Sequence, residues 1–83
     1  MKPYRQDKSI RKFYRILNRK GLVWHRDVGT RRFLVIKGQG WRLQFDRRVP
    51  ILLEENKTYT IPDMVFHRLL KGKTNLIIKF LQK

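Results

Sequence analysis

Hydrophobic positions change their rhythm at Gly21. Before it, Ile10, Phe13, Tyr14 and Leu17 recur at i, i+3, i+4 and i+7, which is one apolar stripe of an α-helix. Asp7 or Ser9 stands where a helix is capped and Gly21 where one ends, so the spacing predicts an amphipathic helix over residues 8–20. Residues 1–7 form a basic arm ahead of it. After Gly21 the apolar positions alternate, and strands are predicted at 22–27, 31–37, 41–46, 49–53, 57–61, 65–70 and 75–81. Turn residues at 28–30, 38–40 and 71–73 separate them, and Gly38-Gln39-Gly40 reads as a hairpin turn. Seven short strands with short connections favour a mainly β fold, an antiparallel barrel or sandwich carrying one N-terminal helix. Neither repeat nor linker interrupts residues 1–83, so the chain is one domain.

Two histidines fall on the apolar side of this alternation. Tyr59 and Ile61 share a strand face, Pro62-Asp63 makes a turn, and His67 then lies between Val65 and Leu69. His25 sits in the first predicted strand, with Asp27 two positions on, hence on the same face. Trp24 faces away from His25, so it either packs under the helix or is exposed. Trp41, Leu43 and Phe45 alternate with Arg42, Gln44 and Asp46, as a half-buried strand does.

The spacing over residues 56–71 resembles the second cupin motif, in which Gly, five residues, Pro-x-Gly, two residues, His, three residues and Asn follow one another. Pro62 and His67 match it, while Asn56, Met64 and Lys71 stand where Gly, Gly and Asn are usual. Asn tolerates the left-handed backbone that Gly supplies there; Met64 is the harder departure. Upstream, His25-Arg26-Asp27, then Arg31 and Gly38, are similar in spacing to the first motif, His-x-His, Glu and Gly, with Asp27 and Arg31 replacing two usual ligands. The likeness spans residues 22–81 and implies a small cupin-like β-barrel, and a homodimer. It also implies that His25, Asp27 and His67 are the residues able to hold iron, manganese or zinc. Arg31 argues against tight binding, because it places a fixed positive charge near the cation or pairs with Asp27. The expectation is therefore two histidines pointing into one cavity without a resident cofactor.

Charge moves the functional reading elsewhere. Twenty-one Lys and Arg against six Asp and Glu leave +15, far beyond what solubility needs. A polyanionic partner is the simplest reason for such an excess. Lys8, Arg11, Lys12, Arg15 and Arg19 lie opposite the apolar stripe of the predicted helix, and Arg42, Arg47 and Arg48 add charge on the sheet. These eight are the expected contacts to nucleic-acid phosphates, DNA or RNA, bound with little sequence preference. Forty-one per cent apolar residues exclude a disordered basic tail, and the absence of cysteine excludes disulfides and thiolate metal sites. No apolar run has the length of a membrane span or a signal core, so the expected location is cytoplasmic or nucleoid-associated. Ser9, the only serine, has no acid–base pair, and a non-enzymatic binding protein is the first reading. The alternatives are a metal-dependent small-molecule enzyme or ligand binder using His25, Asp27 and His67, and a regulatory module that docks on an acidic protein.

Overall fold

The computed structural model of the protein describes residues 9–14 and 22–81. Seven strands run in order: β1 (Ile10–Phe13), β2 (Arg31–Lys37), β3 (Arg42–Phe45), β4 (Ile51–Leu52), β5 (Thr58–Ile61), β6 (His67–Leu70) and β7 (Leu76–Phe80). They form two antiparallel sheets, ordered β1-β7-β2-β5 and β4-β3-β6. The fold is mainly β, and β2 to β7 all lie within two residues of where alternation places them. No helix among the described residues is long and apolar enough to cross a membrane.

Several expectations change. The expected helix is a strand where it is described: Ile10–Phe13 pair with Lys79–Leu76 of β7, and Phe80 N–H donates to Ser9 O. A helical stripe and a short strand both begin and end apolar over Ile-Arg-Lys-Phe. The ladder of β7 needs a partner on that side, and pairing overrides local propensity. Residues 8 and 15–20 of the expected helix, and the arm 1–7, lie outside the described residues. The segment 22–27 is not a full strand, but contributes one bridge, His25 to His67. Nor is the barrel closed: among the described residues no ladder joins the two sheets. A two-residue β4 and a single bridge at His25 are too short to close one.

The core lies between the sheets. Phe33, Val35, Ile61, Leu76 and Ile78 from the four-stranded sheet meet Trp41, Leu43 and Leu53, all buried. Each such side chain contributes about 1.5–3 kcal/mol by leaving water. Residues 38–40 are not a hairpin turn but the crossing from β2 in one sheet to β3 in the other. There Lys73 N–H donates to Gln39 O at 2.8 Å, and a Cβ at Gly72 would run into Gln39 O and the Trp41 side chain. Asn56 and Met64 both adopt left-handed backbone, with φ of 68° and 60°.

Candidate functional site

His25 and His67 are held face to face by their own backbones. His25 N–H donates to His67 O at 3.0 Å and His67 N–H to His25 O at 2.9 Å. Both exchanges within one antiparallel pair put the two side chains on the same face. Their rings stand 4.3 Å apart between centroids, tilted by 58°. His67 is only 4% exposed and is the one polar side chain among the buried described residues. Asp27, two residues past the bridge, completes the group: its Oδ2 lies 3.7 Å from His25 Nε2 and 3.5 Å from His67 Nε2.

The tautomers follow from the other ring nitrogens. His25 Nδ1 bonds Val23 O and His67 Nδ1 bonds Val65 O, each at 2.8 Å. A carbonyl oxygen only accepts, so each Nδ1 carries the proton and donates it. Each Nε2 is therefore the ring nitrogen left to face the same carboxylate oxygen. The chain has gathered three candidate ligand atoms, all within 4.8 Å of one another. A turn braces the loop that carries Asp27: Met64 N–H donates to Asp27 O at 2.9 Å, and Gly29 N–H donates to Asp63 Oδ1 at 2.6 Å.

The group opens into a cavity of about 590 Å³ between the sheets, as expected for both histidines. Phe33, Leu43, Leu69, Leu76 and Ile78 make apolar walls, while Arg11 and Arg31 bring positive charge to its lining. Arg11 Cζ and Arg31 Cζ reach the Phe80 ring from neighbouring strands, at 5.4 and 5.5 Å from its centroid. Lys12 Nζ lies over Tyr14 instead, at 5.4 Å. Arg31 forms no ion pair with Asp27, whose described partners are the two histidines. Arg31 thus stands over an aromatic ring and leaves the carboxylate to the imidazoles.

Five of the eight residues expected to contact phosphate are described. Arg11 and Lys12 lie on β1 beside the cavity, and Lys8, Arg15 and Arg19 lie outside the described residues. Arg42, on β3, faces away from the core, because its neighbour Leu43 is buried and faces inward. Arg47 and Arg48 are exposed in the turn after β3. The same outer side carries groups that alternation alone does not single out. Trp24 is 41% exposed with Arg68 Cζ 4.7 Å from its ring, and Phe66 is 42% exposed with Arg26 Cζ at 5.0 Å. Alternation about His25 puts Trp24 and Arg26 on one side; their pairing with residues 66 and 68 needs the bridge register, which the sequence does not announce. Comparison with protein families, with characterised proteins and with solved structures finds no match for this chain.

Proposed function

We propose that the protein holds a divalent cation of the iron, manganese or zinc type on His25, Asp27 and His67, and receives a small organic anion in the cavity beside it. The observation that carries this reading is the convergence of two imidazole Nε2 atoms and a carboxylate oxygen, with both Nδ1 atoms committed to backbone carbonyls. In a neutral ring with its proton on Nδ1, Nε2 presents a lone pair, and such lone pairs facing a carboxylate repel unless a cation, a proton or a metal ion, lies between them. Backbone-bound Nδ1 atoms are also the arrangement that orients metal-ligating histidines. Bonds of about 2.0–2.1 Å put neighbouring donors roughly 2.8–3.4 Å apart in octahedral or tetrahedral shells. The Asp27 separations of 3.5 and 3.7 Å need only a small contraction, and His25, the more exposed ring, is the one with room to move.

Left-handed backbone at Asn56 and Met64 supports the cupin-like reading, since the motif has Gly at both positions. Three protein ligands leave coordination positions open, which suits ligand binding or catalysis rather than a purely structural ion. A bound dication acts as a Lewis acid on an oxygen it holds. Two cationic side chains, Arg11 and Arg31, in the cavity lining against one carboxylate, with a dication added, favour an anion; the apolar walls favour an organic one. The test is metal analysis of protein purified without an affinity tag, followed by calorimetric titration with Mn²⁺, Fe²⁺ and Zn²⁺. One ion per chain is expected, lost in a His67→Ala variant that keeps its β circular dichroism. If wild-type protein binds none of the three at millimolar metal, the acceptors share a proton instead and the reading fails.

A further inference from the structure

The cavity uses Arg11 and Arg31, and leaves most of the positive charge unexplained. Around the His25–His67 bridge, Trp24 stands opposite Arg68 and Arg26 opposite Phe66. Each is an aromatic–arginine pair with the guanidinium held near the ring, and the two pairs flank the bridge with the order reversed. Because His25 and His67 face the cavity, all four of these neighbours face the opposite side. Arg68 is fixed further: its Nε donates to Gln44 Oε1 at 3.0 Å, and Gln44 Nε2 donates to Arg48 O at 3.1 Å. The outer side of the sheet β4-β3-β6 therefore presents two half-exposed rings, with Arg26, Arg42, Arg47, Arg48 and Arg68 on or beside it. Among the described residues none of these five arginines forms an ion pair; Asp46, at the end of β3, is the acid that borders them.

We propose that this outer face binds an extended single-stranded nucleic acid, with bases stacking on the Trp24–Arg68 and Phe66–Arg26 pairs and phosphates on the surrounding arginines. Aromatic rings on a cationic surface are the combination that single-strand binding needs, since every base has a π-face and the backbone supplies the charge. Geometry selects single strands over duplex. The two pairs are two residues apart along the strand, about 7 Å, whereas bases stacked in a duplex repeat about every 3.4 Å and hide their faces. An acidic peptide satisfies the arginines but gives the rings nothing to stack on. The surface lies on the other side of the sheet from the metal-ligand group, so neither site needs the other in order to bind.

The experiment is fluorescence anisotropy with labelled 12-nucleotide oligouridylate and oligodeoxythymidylate, a DNA duplex of the same length, and poly-glutamate as competitor. Single strands are expected to bind at least tenfold more tightly than duplex. Trp24→Ala is expected to weaken single-strand binding roughly 5- to 100-fold, with Trp24→Phe recovering most of it. Replacing Arg26, Arg42, Arg47 and Arg48 with Gln lowers the log–log salt slope by about 0.7 for each single-strand phosphate that is no longer neutralised. Three results overturn the proposal: no binding at low salt; equal binding of duplex with no effect of Trp24→Ala, which means charge alone; or poly-glutamate binding as tight as the oligonucleotides and equally dependent on Trp24, which means an acidic protein partner. Thermal unfolding of each variant separates weakened binding from a damaged fold.

Discussion

Removing the Asp63 carboxylate tests how the candidate centre is built, because Asp63 touches none of the three acceptors and yet holds the loop that carries one of them. Its Oδ1 accepts from Gly29 N–H at 2.6 Å, and the next residue's N–H, from Met64, donates to Asp27 O at 2.9 Å. Two bonds thus tie the 27–29 loop to the 62–64 turn. Hydrogen bonds to charged groups contribute about 1.5–3 kcal/mol in general, and this exposed one belongs below that range, at about 1 kcal/mol. In a domain of this size 1 kcal/mol moves Tm by roughly 4–8 °C. Asp63→Ala is therefore expected to lower Tm by several degrees in metal-free protein. It is also expected to weaken metal binding by about 10- to 100-fold, the usual effect of removing a group that orients a metal ligand.

Scanning calorimetry without metal and titration calorimetry with Zn²⁺ or Mn²⁺ read the two effects separately. Asp63→Asn keeps an acceptor oxygen and is expected to restore most of both. A lower Tm with unchanged metal affinity would mean that Asp27 is placed without help from the turn. Unchanged values for both would mean that the Gly29–Asp63 bond contributes nothing in solution. Either result refutes the idea that the turn positions the carboxylate.

Met64→Gly is expected to raise Tm, since a left-handed non-glycine residue costs about 1–2 kcal/mol and glycine's greater flexibility returns only part of it; thermal unfolding decides. Gly72→Ala is expected to destabilise by about 3 kcal/mol, because its Cβ meets the Gln39 backbone carbonyl and the buried Trp41; denaturant titration gives the value. Arg31→Gln is expected to leave metal affinity unchanged and to weaken oxalate binding by the metal-loaded protein about tenfold, measured by displacement calorimetry.

The strands after Gly21 were legible because all but the two-residue β4 have one dry face. Alternation over Phe33 and Val35, or Leu43 and Phe45, is simple to read when one side is core and the other water. Ile10–Phe13 was not legible, since four residues fit both periods and the deciding interaction is with β7, more than sixty residues away. His25, Asp27 and His67 were legible through spacing, while the tautomers that make them converge depend on Val23 and Val65 carbonyls that no spacing announces. Arg31 shows the opposite limit. Its charge suggested an ion pair with Asp27, but a position over Phe80 satisfies the guanidinium with an aromatic face, and that face is visible only once β2 lies beside β7.

Register is what keeps the two surfaces distinct. His25 and His67 face the cavity while Trp24, Arg26, Phe66 and Arg68 face outward, and one pair of backbone hydrogen bonds, 3.0 and 2.9 Å, fixes which set goes where. A slip of one residue on the residue 25 side would carry Trp24 and Arg26 inward and His25 out, because side chains alternate strictly along extended chain. An isolated bridge resists such a slip poorly, so the surroundings must supply the resistance. They do so on both sides: inside, His67 is buried and tied to Val65; outside, Arg68 is held by Trp24 and Gln44. Placing Arg26 in the apolar interior would leave its charge without the solvent or partners it needs, at a cost of several kcal/mol. The arginines beside the rings therefore have a structural role as well as the binding role proposed for them. They make the inverted register unfavourable and so keep both imidazoles turned toward Asp27.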